Sequence, residues 1–251
     1  MPSPRSSSSR RRPAEGRLAG SRRAWRPAER AGATLAAVNP VLRTPQLWLR
    51  AVLVLDVVLG YITGSYSMTY LTTITSCLAL IYLIVGLWWM WTRRTTALPA
   101  PRLRLGLTTW MVFVGIVAHV LLEHGVLPFA AFGGSDWDAA RESFTKLTIH
   151  YVLPLGMLVD WLAFGPRRRA KWLDLWWIAA VPTFYGFVTV ARAIVFPEIQ
   201  DRIPYPFMEP GSDGFGHVIL TLLPMVVAIA ALGAVLLLAD RLFALWRRTA
   251  P

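Results

Sequence analysis

Six long apolar blocks constrain this chain of 251 residues more than any other feature of its sequence. They cover residues 47–64, 68–91, 105–127, 144–164, 173–196 and 215–240. Each block is close to or above the roughly 20 residues that a helix needs to cross the hydrocarbon core of a bilayer. The sequence therefore predicts an all-α, polytopic membrane protein with six transmembrane helices.

The distribution of basic residues predicts the orientation of these helices. Arginines and lysines cluster after the second block, after the fourth block at residues 166–171, and at the C-terminus, whereas acidic residues fill the loops between them. Basic loops stay on the cytoplasmic side of a membrane. We therefore expect both termini to be cytoplasmic, in a multi-pass protein of the inner (plasma) membrane.

The chain divides into a six-helix transmembrane domain at 46–243 between an N-terminal tail (1–45) and a short basic cytoplasmic tail (244–251). The first 44 residues hold ten arginines and two glutamates, and contribute +8 of the formal net charge of +12. Their Ser, Arg, Pro and Gly content cannot build a core, which predicts a disordered, Arg-rich cytoplasmic tail. Three interpretations of this tail remain open. It could contact anionic lipid headgroups, it could be a transit peptide, which it superficially resembles, or it could reflect an over-long translation start. No nucleic-acid partner is expected.

His150 is the first candidate functional residue, because it lies inside the apolar run 147–164. An ionisable side chain in a membrane helix is costly unless it faces a polar interior, so it suggests a functional site. Pro154 removes the backbone donor that would bond the carbonyl of residue 150, which predicts a bend there. The alternative is a structural role, in which the His150 ring only forms hydrogen bonds between packed helices.

Hydroxyl side chains form a stripe at the start of the second block, at Thr69, Thr72, Thr73 and Ser76. Thr72 is about four residues inside the boundary, or roughly 6 Å at 1.5 Å per residue. His150 reaches a comparable depth from the same side. A Thr nucleophile and a His base could therefore meet, although such hydroxyls also bond carbonyls one turn back.

Charged side chains at the same end suggest a supporting ion pair. Arg192 follows Tyr185 and Thr189 at helical spacing, so we expect it to face inward and to bind Glu123. The backbone carbonyl freed by Pro154 is the second candidate acceptor. Alternatively, Arg192 extends to the headgroups, and Glu123 pairs with His119, one turn away on the same helix face.

Three further features carry expectations. Asp160 lies close to the basic loop 166–171 and is expected to act as its counter-charge at the interface. Asp56 lies near mid-membrane without an obvious partner. The loop 203–207, Ile-Pro-Tyr-Pro-Phe, is stiff and aromatic, so Tyr205 could belong to a lid across the mouth of the bundle.

Several short motifs resemble those of a known family. The segments are Tyr70-Leu71-Thr72, His150-Tyr-Val-Leu-Pro154, Asp160-Trp161, Arg192, and Pro204-Tyr-Pro-Phe207. Together they resemble the bacterial branch of the androgen-induced membrane protein family, over about residues 46 to 243 and most firmly from 144 to 215.

The resemblance implies an activity. Animal members of the family are six-helix threonine hydrolases that cleave fatty acid esters of hydroxy fatty acids. It implies Thr72 as the nucleophile and His150 as the base. Bacterial relatives tend to carry Thr-Asn-x-Ser-Asn where this chain has Thr72-Thr73-Ile74-Thr75-Ser76. No role for those asparagines can therefore be transferred.

The chemistry is consistent with these residues, because a threonine hydroxyl needs an adjacent base and a neutral histidine is suited to that task. Candidates to stabilise the oxyanion are Thr73, Thr75, Ser76 and Arg192. The expected partner is a membrane lipid with acyl chains, and no cofactor is expected.

Two alternatives remain open at this stage. One is a metal-binding membrane protein or small-solute transporter that uses Glu123 and several histidines as ligands. The other is a haem-binding redox protein, with His119, His150 and His217 as candidate axial ligands. Cys77 is the only cysteine, which excludes a cysteine metal site.

Overall fold

The computed structural model describes residues 39–64, 66–129, 132, 134–165, 168–199 and 202–249. Most of the tail predicted for residues 1–45 therefore lies outside the described residues, as do the last two residues of the C-terminal tail predicted for 244–251.

Six helices dominate the described part of the chain, and no strand occurs in it. They are α1 (Pro45–Thr63), α2 (Leu71–Arg93), α3 (Pro101–Leu122), α4 (Trp137–Phe164), α5 (Asp174–Val195) and α6 (Gly214–Thr249). All six are long and apolar enough to cross a membrane. The prediction of an all-α, polytopic membrane fold with six spanning helices is confirmed.

The boundaries differ from the predicted ones where capping groups determine them. Residues 39–44 of the predicted tail are ordered: the Asn39 side chain donates to the Trp91 carbonyl and accepts from the Val41 N–H. Helix α4 begins at Trp137 rather than at residue 144, because the Asp136 carboxylate caps its first turn. Helix α6 continues to Thr249, past the domain end predicted at residue 243.

Helix α3 lies at the centre of the bundle and packs against α2, α4, α5 and α6. Its Leu105 and Met111 are fully buried. The tip of the Trp177 ring occupies the space that a side chain at Gly106 would need. This close approach brings the Trp110 and Trp177 rings edge to face, 5.5 Å apart.

The helices alternate in direction, so the connections at 64–70, 123–136 and 196–213 meet at one end of the bundle, here called the site end. The connections at 94–100 and 165–173 meet at the other, here called the Asp160 end.

Asp160 forms a buried charge cluster with two arginines. Its carboxylate accepts from Arg50 Nε at 2.9 Å and from Arg104 Nη2 at 2.6 Å, and all three residues are at most 2% exposed. Asp160 is therefore not the interfacial counter-charge of loop 166–171. In that loop, the Arg168 N–H donates to Asp240 and the Lys171 N–H donates to Asp174, each at 2.7 Å.

Two π-helical turns lie at the site end. One closes α3 at Ala118–Leu122, and the other interrupts α4 at Thr148–Val152. The second turn directly precedes Pro154, so α4 accommodates the missing donor by widening one turn, and the helix continues to Phe164. Single π turns inside α-helices are rare and are frequently found at functional sites.

Candidate functional site

A cavity of about 690 Å³ opens at the site end, between the connection from α1 to α2, the first turn of α2 and the first half of α4. Thr72 and His150 both line this cavity, here called the polar cavity. Tyr205 and Thr73 also contribute to its wall. Its volume falls within the range of small-molecule binding sites.

Thr72 is the second residue of α2, where the backbone N–H groups have no acceptor within the helix. Its N–H donates to the Tyr205 hydroxyl at 3.4 Å, and the residue is 9% exposed. The preceding cap residue, Tyr70, makes no side-chain capping bond. The positive end of the helix dipole therefore lies at Thr72, where it favours negative charge.

His150 is the middle residue of the π turn in α4. Its Nδ1 atom is buried and has no hydrogen-bond partner among the described residues. Buried polar atoms are almost always bonded, so an unpartnered ring nitrogen beside a cavity requires an explanation. A ligand or a water molecule in the cavity would provide one.

Thr72 and His150 are not joined by a direct hydrogen bond within the described part of the chain. Thr72 comes from α2 and His150 from α4, and both line the polar cavity. A group that binds in this cavity therefore has access to both residues.

Tyr205 enters this site from the connection between α5 and α6. Its ring is 7% exposed, stacks on Phe207 at 5.1 Å and meets Tyr70 edge-on at 5.5 Å. Burial raises the pKa of the Tyr205 hydroxyl, while hydrogen bonds to Thr72 act in the opposite direction. The loop expected as a lid thus places Tyr205 inside the mouth of the bundle.

The other hydroxyls of the predicted stripe have different surroundings. Thr73 lines the polar cavity. Thr75 Oγ1 donates to the Leu71 carbonyl at 2.8 Å, and Ser76 Oγ donates to the Thr72 carbonyl at 2.7 Å. Both are buried, so these two hydroxyls serve the helix backbone, and neither is positioned to polarise a substrate.

The expected ion pair between Arg192 and Glu123 does not form. Glu123 binds Lys146 at 3.2 Å, because Lys146 lies on the neighbouring α4 within reach of the end of α3. Arg192 instead donates to the backbone carbonyl of Arg202 at 3.3 Å, in the loop that follows its own helix. The carbonyl of residue 150, the second candidate acceptor, faces the backbone of Gly115 on α3.

His119 bonds a different partner from the one considered in the sequence. Its Nδ1 lies 3.2 Å from the Tyr151 hydroxyl, and the two rings meet edge-on. Glu123, the residue that directly follows α3, binds Lys146 instead.

Two residues of the site escaped the sequence analysis. Lys146 lines the polar cavity one turn before His150 and pairs there with Glu123 at 3.2 Å. Tyr66 also lines the cavity; its hydroxyl donates to the Gly60 carbonyl at 2.7 Å, and burial raises its pKa to about 12. The i, i+4 spacing of Lys146 and His150 was the signal available for the first.

Charged side chains surround the mouth of the polar cavity, at the start of α4. They are Asp136, Asp138, Arg141, Glu142 and Lys146. Both signs are present, so the mouth suits a polar group of the ligand, while the catalytic candidates lie deeper.

The metal-binding alternative finds no support in the arrangement of ligands. Within the described residues, no three or more His, Cys, Asp or Glu side chains converge to hold a metal ion. His217, considered with His119 and His150 as a haem ligand, is exposed on α6.

Comparison of the chain with protein-family models, with curated proteins and with solved structures finds no match. The fold and the cavity therefore define the class on their own. The chain is a multi-pass, all-α membrane protein with a polar cavity at one end of its bundle.

Proposed function

We propose that this protein is an integral-membrane hydrolase of lipid esters, with Thr72 as nucleophile and His150 as base. One observation carries the proposal: a helix-terminal threonine hydroxyl and a histidine with an unpartnered, buried ring nitrogen line the same cavity from two helices. The motif resemblance to threonine hydrolases of the androgen-induced membrane protein family points to the same two residues.

The first half of the reaction transfers the acyl group to the protein. His150 takes the proton of Thr72 Oγ1 as the oxygen bonds the ester carbonyl carbon. The tetrahedral intermediate collapses by breaking the bond to the alcohol oxygen. That oxygen receives the proton from His150, which leaves an acyl-threonine and a free alcohol.

The second half restores the protein. A water in the polar cavity gives a proton to His150 and adds its oxygen to the acyl carbon. Thr72 Oγ1 then leaves and takes the proton back, so that the products are one fatty acid and one alcohol.

Tyr205 supplies the hydrogen-bond donor for the oxyanion in this mechanism. Its oxygen accepts from the Thr72 N–H, which holds the phenol beside the nucleophile, and a phenolic hydroxyl can both accept and donate. The positive end of α2 adds to the same field. The assignment replaces Thr75 and Ser76, whose hydroxyls donate to carbonyls, and Arg192, which does not line the polar cavity.

The basic distribution of the loops further supports an orientation in which the site end faces outward, with both termini cytoplasmic, in the plasma membrane. In that orientation, the charged mouth of the polar cavity meets the outer headgroup region. The substrate would then be a lipid of the outer leaflet.

Covalent labelling tests the proposal directly. The full chain, purified in detergent, is treated with a fluorophosphonate probe, and hydrolysis of a fatty acyl ester is measured in parallel. Thr72→Ala should abolish both signals because it removes the nucleophile. Thr72→Ser should retain labelling, since it keeps a primary hydroxyl at the same place.

Two controls separate chemistry from folding. Thr73→Ala should keep substantial activity, because Thr73 can supply at most part of the oxyanion stabilisation, about 3 kcal/mol. His150→Gln should lose labelling, whereas His217→Gln, at an exposed histidine outside the polar cavity, should retain it. Persistent labelling of Thr72→Ala would refute the assignment.

A further inference from the structure

A second cavity, of about 530 Å³, lies between α3 and α4 on the other side of His150. Aliphatic side chains, glycines and Pro154 form most of its wall, and we call it the Pro154 cavity. Ile116, Val120 and Leu155 border it and are 50%, 55% and 59% exposed on spanning helices. In a bilayer, side chains so exposed at these positions contact lipid, so the Pro154 cavity opens toward acyl chains.

His150 is the one described residue that lines both the polar cavity and the Pro154 cavity. Two local features account for this position. The π turn shifts the side chains of residues 148–152 from regular α-helical positions. Gly115 lets α3 approach the backbone, since a Cβ there would lie 2.8 Å from the carbonyl oxygen of His150.

We infer that the Pro154 cavity binds the long acyl chain of the substrate, which enters sideways from the bilayer between α3 and α4. The ester group then lies at His150, and the polar remainder of the lipid occupies the polar cavity with its charged mouth. This inference rests on the proposed function and assigns two subsites to it: the Pro154 cavity for the apolar acyl chain, and the polar cavity for the polar part of the same ester.

A comparison of the three cavities explains why the acyl chain should enter the Pro154 cavity. The polar cavity is bordered by charged residues at its mouth, such as Asp138, Arg141 and Glu142, where an acyl chain would displace water from charges. A third, apolar cavity beside Tyr185 has a volume of only about 80 Å³ and is separated from Thr72 by the Tyr205 ring. The Pro154 cavity combines sufficient volume with an opening to lipid.

Filling the Pro154 cavity tests the inference. Leu155→Trp adds a large ring at its lipid-facing edge. Val159→Trp is the matched control, because Val159 is 51% exposed one turn further along α4 and does not line the cavity. Hydrolysis of a palmitoyl ester and of an acetyl ester with the same alcohol is measured for the full chain in detergent.

Leu155→Trp should lower kcat/KM for the palmitoyl ester by at least about tenfold, and leave the acetyl ester and fluorophosphonate labelling nearly unchanged. Val159→Trp should change neither ester. An unchanged ratio of palmitoyl to acetyl hydrolysis in Leu155→Trp would overturn the inference, as would an equal loss for both esters.

A binding measurement keeps the inference separate from the hydrolase proposal. A non-hydrolysable palmityl ether that carries a photoreactive group near the chain end is cross-linked to the protein, and the labelled peptides are mapped. Labels should concentrate at residues 112–127 and 150–155, be lost in Leu155→Trp and persist in Val159→Trp. Uniform labelling of all lipid-facing helices would overturn the inference, whereas absence of both labelling at Thr72 and hydrolysis would overturn only the proposed function.

Discussion

Replacement of Asp160 by asparagine should destabilise the bundle more than any conservative change at the site end. Arg50 and Arg104 share this one carboxylate, and both are at most 1% exposed. Asparagine has nearly the same size and keeps one acceptor oxygen, so the change removes charge with little change in packing. Two buried guanidinium groups then remain without a counter-ion.

The expected loss follows from the cost of an unpaired buried charge. Breaking one buried ion pair by removing a partner costs about 3–5 kcal/mol, and Asp160 neutralises two arginines. The remaining acceptors are neutral: Arg50 also donates to the Thr96 carbonyl, and Arg104 to the Phe164 carbonyl. We therefore expect a loss of at least about 4 kcal/mol, a large share of the roughly 5–15 kcal/mol by which proteins are stable.

Thermal unfolding of the detergent-solubilised chain, followed by tryptophan fluorescence, measures this loss. The midpoint should fall by on the order of 10 °C. Asp138→Asn is the control, because Asp138 pairs at 3.4 Å with Arg141, both side chains are at least half exposed, and the change should cost at most about 1 kcal/mol. Equal midpoints for the two variants would show that the cluster contributes no more than a surface pair, and the reasoning from burial would be wrong.

Two further predictions concern the site end. Tyr205→Phe should lower kcat for ester hydrolysis by roughly 10²-fold and weaken the binding of a boronate that mimics the tetrahedral intermediate. Tyr70→Phe, at a neighbouring ring, should change neither quantity. If Tyr205→Phe has no effect on either, Tyr205 has no part in the mechanism. Because burial raises the pKa of Tyr205 above its usual value of about 10, the hydroxyl keeps its proton and this contribution should persist in a pH profile up to that value. Arg192→Gln and Glu123→Gln should have additive effects on stability, within about 0.5 kcal/mol, because Arg192 donates to the Arg202 carbonyl whereas Glu123 binds Lys146. A larger coupling energy in a double-mutant cycle would contradict the separate pairings.

Hydropathy was sufficient to predict the number of helices, because a spanning helix requires a long uninterrupted apolar block. It was insufficient for their ends. Residues 137–147 of α4 are amphipathic and include no buried residue, so the apolar block begins at residue 144 although the helix begins at Trp137. Asp136 is a typical N-cap residue, and a search for apolar blocks alone does not detect such a helix start.

The sequence predicted a comparable depth for Thr72 and His150 from a count of residues along each helix, and both residues line one cavity. It did not predict the partners of the charged residues. Arg50 and Asp160 are 110 residues apart in the chain, and only the packing of α1 against α4 brings them together. A single arginine inside the first apolar block was the available signal, since a charge in such a block has to find a partner.

The predicted ion pair between Arg192 and Glu123 was wrong for the same reason. Sequence spacing shows which residues share a face of one helix, but it does not show which neighbouring helix that face meets. Glu123 is reached from α4 by Lys146, and Arg192 binds the loop that follows its own helix. Tyr205 was correctly placed near the mouth, but its insertion beside Thr72 depends on the stacking of Phe207 and Tyr70 around it.

The two ends of the bundle divide stability and function between them. At the Asp160 end, charges are paired, and Arg50, Arg104 and Asp160 are buried among tightly packed helices. At the site end, two large cavities leave van der Waals contacts unmade, which lowers stability. A bundle can tolerate such features at one end only if the rest of its packing compensates for them. The Asp160 cluster therefore has a functional consequence without contacting a substrate, because it helps to hold the helices together while the other end stays open around Thr72 and His150.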